Sequence, residues 1–234
     1  MSLVPNARPE RIMVDFEKAF MNAFNEVLPD TQIAGCYFHL CLSFNRKINE
    51  LGLKKIYETN SEIALVLRMV PALAFLPVYR IEEGFNLVME EIADTLAKLK
   101  VADDIAENLE KLLSYFQKTY IRGTSKAALF LPSIWNHHNA ACEGLARTNN
   151  AVEGWHYGIQ SLFTGSHPNI WTFIQKFRQD AALHKFNCLQ AVNGQRKKPR
   201  KKYQELNSRV QNVVKSFEEN SDIIPFLRSM AHMQ

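Results

Sequence analysis

The stretch "RTNNAVEGWH", Arg147 to His156, sets two side-chain amides, one carboxylate and one imidazole between strongly apolar segments. Its acid, Glu153, has two readings. Asn150 followed three residues later by Glu153 has the form of a capping box, in which an Asn opens a helix and the Glu folds back onto the backbone. A carboxylate at a helix start is also a hard-oxygen metal ligand, and that role calls for partner carboxylates elsewhere in the chain. Asp15 is the second acid placed for chemistry. It closes the extended stretch "RIMVD", and the carboxyl end of a parallel strand is where α/β sheets present ligands. Asp is equally a good N-cap for a helix starting at Phe16.

A third pattern is "GCYFHLC", in which Cys36 and His39 form a C-x-x-H pair able to aim two ligands at one zinc ion. Structural zinc takes four ligands, and the further candidates are His137, His138, Cys142 and His156. The alternative makes Cys36 a small buried hydrophobe and His39 a hydrogen-bonded imidazole. Cys41 and Cys188 read as helix-packing residues. Finally, "RKKPRKK" gathers six cations, Arg196, Lys197, Lys198, Arg200, Lys201 and Lys202, around a helix-breaking proline. Such a run is a nuclear-localisation signal, a phosphate-contacting patch or a solvated linker.

The elements that must position these residues are mostly helical. Phe16, Ala19, Phe20, Ala23, Phe24 and Val27 follow the i, i+3, i+4, i+7 rule and predict a helix from just after Asp15 to near Pro29. Further apolar stripes run through Ile81, Phe85, Val88, Ile92 and Leu96, and through Ile105, Leu109, Leu112, Leu113 and Phe116. Two more comprise Ile170, Phe173, Ile174 and Phe177, then Leu206, Val210, Val213, Val214 and Phe217. Only Arg11 to Asp15 and Thr31 to His39 read as extended. Strand, helix and strand in that order make a βαβ unit with a parallel pair. Two strands form no stable sheet alone, and the first follows only "MSLVPNARPE", so earlier strands of a complete fold are expected to be missing from this chain.

Composition bounds the class. The 234 residues are 47% hydrophobic and 22% charged, as in soluble globular proteins of one or two domains. No apolar run reaches about 18 residues, and no leader pattern opens the chain, so neither a membrane span nor a secretory signal is expected. Four irregularly spaced cysteines suggest free thiols or metal ligands in a reducing, intracellular setting. The net charge of +4 is too small by itself to argue for nucleic-acid binding.

Taken together, "IMVDFEKAFMNAFNEVLPDTQIAGCYFHLCLSFNRKI" and "GLARTNNAVEGWHYGIQSLF" resemble the catalytic domain of Mutator-like element (MULE) transposases. The shared order is a strand ending in Asp, a helix, a strand leading into C-x-x-H, a helical stretch, and a T-N-N-x-x-E-x-x-H block. The resemblance implies a mainly α chain with a small α/β part. That part would be a partial RNase H-like fold, two remaining strands flanking a helix, with a helical insertion. It implies four segments: the strand-helix-strand part at 1–45, the insertion at 46–147, the acidic-residue helix with a packing helix at 148–190, and a basic linker with terminal helices at 191–234. Family members use a DDE triad to hold two magnesium ions for DNA strand cleavage and transfer. By motif, Asp15 resembles the second triad acid and Glu153 the third, while Cys36 and His39 resemble the C-x-x-H pair. The first acid belongs to an earlier strand, so this chain alone is expected not to transpose DNA. Nuclear localisation, DNA as partner and self-association follow from the same resemblance. The alternative is a non-catalytic, zinc-stabilised module for DNA or protein binding, derived from a transposase.

Overall fold

The computed structural model describes residues 8–123, 127–163, 167–194, 201–217 and 221–233. Among the described residues the protein is mainly α-helical with one small parallel sheet, and the chain divides into two compact units, 9–148 with 204–234 and 1–8 with 149–203. No described helix is long and apolar enough to cross a membrane.

In the larger unit, strand β1 (Arg11–Val14) leads through helix α1 (Lys18–Val27) to strand β2 (Gln32–Gly35). The strands pair in parallel, from Arg11 opposite Gln32 to Val14 opposite Gly35. Helix α2 (Tyr37–Glu50) starts at once, with Cys36 as its N-cap. Cys36 to His39, expected as extended, are therefore the cap and first turn of a helix. Leu40, Phe44 and Ile48, all buried at four-residue spacing, give that segment a helical core face, and this outweighs the β-favouring residues before it.

Helix α1 corrects a second expectation. Its N-cap is Glu17, not Asp15, and its inward face is Met21 with Phe24 and Leu28, while Ala19, Phe20, Ala23 and Val27 are exposed. The physical reason is the width of the sheet. Two strands give α1 one narrow apolar floor, so only part of its broad apolar surface meets a partner.

Helix α3 (Lys54–Thr59) is followed by α4 (Ser61–Ala72), whose N-cap Asn60 accepts from the Glu62 and Ile63 amides at 3.1 and 3.0 Å. Ile63, Val66, Leu67, Met69 and Val70 bury most of the circumference of α4. Two 3₁₀ turns, Leu73–Phe75 and Val78–Arg80, lead into α5 (Ile81–Leu99), then α6 (Asp103–Phe116) and a π turn, Gln117–Ile121. Both α5 and α6 bury most of the apolar stripes expected of them, with Leu96 and Ile105 only partly buried. Short helices α7 (Pro132–Trp135) and α8 (His138–Cys142) follow. Trp135 is fully buried among Phe116 and Tyr120, and its indole donates to the Tyr120 carbonyl at 2.8 Å, so no polar atom of the ring is left dry.

The smaller unit is a helical hairpin, α9 (Asn150–Ser161) and α10 (Ile170–Val192). Asn169 caps α10 by accepting from the Thr172 amide at 2.8 Å. Phe163, Phe173 and Phe177 stack in sequence with centroids 5.8 Å apart. The helix expected around Ile170 to Phe177 is present, but α10 buries none of its residues. Cys188, expected to pack, is exposed for the same reason. The chain closes with α11 (Lys201–Lys215), which buries Val210 and Val214, and α12 (Ile223–Ala231), which packs against α4 and α5.

Candidate functional site

Asp15 sits directly past the carboxyl end of β1, its side chain 52% exposed. Its backbone is fixed from two sides. The Asp15 carbonyl accepts from the Glu17 amide at 2.8 Å, and the next side chain, Phe16, packs edge-on against Phe130 and Tyr120 at 5.0 and 5.5 Å. Phe16 lies so close over β2 that a methyl group on Gly35 would stand 2.6 Å from its ring. Glycine at that position is therefore what lets the ring seat and the turn hold its place.

His39, in the first turn of α2, brings Nδ1 to 3.0 Å from Asp15 Oδ1. Two residues from separate motifs, 24 positions apart, thus meet at the carboxyl edge of the sheet. Cys36 is wholly buried, and its amide donates to the Val14 carbonyl at 2.9 Å, extending the strand ladder by one bond. Cys41 is a packing residue as expected, and burial pushes its thiol up to about 12.

The remaining proposed zinc ligands have other partners. His137 is 1% exposed, with Nδ1 3.3 Å from the Arg11 guanidinium. Burial, aided by the charges of Arg11 and Arg147, lowers its pKa to about 3 and keeps it neutral. His138 Nδ1 donates to the Phe75 carbonyl at 2.8 Å, leaving Nε2 3.9 Å from Cys142 Sγ. Burial raises the Cys142 thiol, which disfavours the thiolate a metal would need. His156 lies in α9 with its ring 5.0 Å from that of Trp155. Among the described residues no group of three or more His, Cys, Asp or Glu side chains is placed to hold a metal ion.

Glu153 stands in the first turn of α9, half-buried, in the smaller unit. The capping-box reading is overturned. Asn149, not Asn150, is the N-cap, and it makes no side-chain cap bond, so Glu153 falls one position beyond the place a capping-box Glu occupies. Of the basic run, Lys201 and Lys202 open α11 and are exposed, whereas Arg196, Lys197, Lys198 and Arg200 lie outside the described residues.

Two arginines were not singled out from the sequence. Arg11 donates to the Ala146 carbonyl at 3.2 Å as well as facing His137. Arg147 stacks its guanidinium 5.5 Å above the Phe75 ring and donates to Asn207 Oδ1 at 2.6 Å, while its carbonyl accepts from the Tyr37 amide at 2.9 Å. Together they tie the chain just before the T-N-N block to β1 and to the start of α2. Position was the available signal for Arg147, since it opens the block. Comparison with protein-family models, curated proteins and solved structures returns no match for this chain.

Proposed function

We propose that the chain is a fragment or derivative of a MULE-type DDE transposase, with Asp15 and Glu153 as two of the three metal-holding acids and DNA as partner. In this reading the β1–α1–β2 unit is part of an RNase H-like core, and the helices after it are the insertion. One observation carries the reading: Asp15, at the carboxyl end of a parallel strand, is met at 3.0 Å by His39 of the C-x-x-H motif. The parallel pairing of β1 and β2, with Val14 opposite Gly35, brings the ends of the two motifs to the same edge of the sheet.

The donor chemistry fits magnesium, since Asp15 and Glu153 offer carboxylate oxygens of the kind that ion takes. When bound, a pair of such ions activates a hydroxyl nucleophile and stabilises the leaving oxygen of a phosphodiester. The protein's own part is positioning. Phe16 and Gly35 fix the turn that carries Asp15, and His39 places its Nδ1 3.0 Å from one carboxylate oxygen. The six cations at 196–202 supply phosphate contacts without base selection and the signal for nuclear import.

Manganese, a paramagnetic stand-in for magnesium, tests the assignment. Titrated into the full chain, it should broaden the backbone NMR signals of Asp15, His39 and Glu153 together, and Asp15→Asn should abolish all three effects. Broadening at Asp15 that leaves Glu153 untouched would remove Glu153 from the site. Uniform weak broadening over all acids would remove the site altogether. The non-catalytic module predicts instead one tightly held zinc per chain, measurable by elemental analysis of the purified protein.

A further inference from the structure

The charge of the protein is unevenly divided. Residues 149–203 hold nine Lys and Arg against two acids, a net charge of +7, whereas the rest of the chain is net −3. Of the two acids, Asp180 is engaged within the hairpin. It accepts from the Trp155 indole at 2.8 Å, lies 3.6 Å from His184 Nε2, and keeps only 13% of its side chain exposed.

Helix α10 is also turned in an unusual way. Its half-buried positions are chiefly polar, Thr172, Lys176, Asp180, Asn187 and Gln190, while its exposed side carries the aromatic and apolar residues. Along that open side Trp171, Gln175, Arg178, Ala182, Lys185 and Leu189 recur at i, i+4, i+7, i+11, i+14 and i+18, one face of a helix. From Trp171 to Lys185 the face extends about 21 Å at 1.5 Å per residue. Trp171 is 78% exposed, and no acid interrupts the row.

We infer that this face of α10 binds a nucleic-acid strand with unpaired bases, Arg178 and Lys185 contacting phosphates and Trp171 stacking on a base. Charge selects the occupant. A second copy laid on the same surface would set its own Arg178 and Lys185 against these two cations, with no acid on that face to meet them. A polyanion meets both cations favourably and releases counterions as it does so. Ring chemistry selects unpaired bases, because an open indole stacks only on a base that is not already covered by its neighbours. The inference stands on charge and exposure in 149–203, and it does not depend on Asp15 or Glu153.

The test is fluorescence anisotropy of the full chain with a labelled oligo-deoxythymidine of about 16 nucleotides, read beside intrinsic tryptophan emission. Of the three tryptophans, Trp135 is buried and Trp155 is held by Asp180, so quenching on binding should come from Trp171 and vanish in Trp171→Phe. Trp171→Ala should weaken binding roughly ten-fold, the usual cost of a lost base stack. Arg178→Ala with Lys185→Ala should lower the slope of log affinity against log salt by about 1.4, two single-strand phosphate contacts. Helical circular dichroism equal to that of the parent keeps these comparisons valid, and a variant that fails it is replaced by Trp171→Leu or Arg178→Gln. An unchanged salt slope, quenching that persists in Trp171→Phe, or equal loss of duplex and single-strand binding in Trp171→Ala would overturn the inference. A concentration-dependent dimer dispersed by Trp171→Ala, without oligonucleotide affinity, would overturn it in favour of self-association. A failed manganese experiment leaves every one of these outcomes in place.

Discussion

His137 shows how far burial alone can set a side chain's state. The ring is almost fully enclosed, faces the cations Arg11 and Arg147, and titrates at about 3 against an ordinary value of about 6.5. Between those values the unfolded chain binds a proton here that the folded chain refuses. Its contribution to stability is therefore complete above about pH 6.5 and is lost as the pH falls towards 3, at up to about 1.4 kcal/mol per unit. Replacing His137 by Gln keeps an acceptor for Arg11 and removes the proton. Urea midpoints at pH 7 and pH 5 should fall less for His137→Gln than for the parent, and equal falls would show that His137 is not the titrating group. The same enclosure separates His137 from the zinc role considered from sequence. A histidine count reveals neither burial nor partners.

At the scale of elements, the turn that carries Asp15 depends on a contact between a strand and the residue after it. Gly35→Ala would push a methyl group into the Phe16 ring at 2.6 Å, and overpacking of this kind costs roughly 1–3 kcal/mol. We expect a lower urea midpoint, together with altered NMR shifts at Asp15 and His39. Loss of stability with those two residues unmoved would mean that Phe16 does not position the site. What was legible at this scale follows from how each element is packed. The stripes of α5 and α6 were readable because one face of each helix is buried and the other solvated, the condition that produces a clean period. Helix α4 gave no such signal, since it is apolar on most sides and its periodicity is erased. The residues of the α1 stripe from Ala19 to Val27 are helical as expected, Phe16 lies before the helix, and the direction of the stripe was not foreseen, because periodicity cannot say how wide a floor the helix will find. Cys36 and His39 stood out by spacing, yet the contact with Asp15 needed α2 to begin at Tyr37, one residue beyond the Cys36 cap, where the sequence read as strand.

For the molecule as a whole, stability should be as unevenly distributed as charge. The larger unit buries α4 on most sides against α5 and α12 and closes an aromatic cluster around Trp135, whereas α10 buries none of its residues. Local opening free energy follows buried apolar contact, so the amides of α9 and α10 should open well below the global unfolding free energy while those of α4 open close to it. Hydrogen exchange measured peptide by peptide should accordingly show α9 and α10 exchanging orders of magnitude faster than α4, α5 and α12. A ligand that binds only the folded hairpin adds RT ln(1 + [L]/Kd) to its stability, about 2.7 kcal/mol when present at 100 times Kd. Saturating oligo-deoxythymidine should therefore slow exchange in α9 and α10 by roughly a hundred-fold and leave α4 unchanged. The reverse pattern, protection gained in the larger unit alone, would place the nucleic acid on the net-negative part of the chain and refute the electrostatic division on which the α10 surface was assigned.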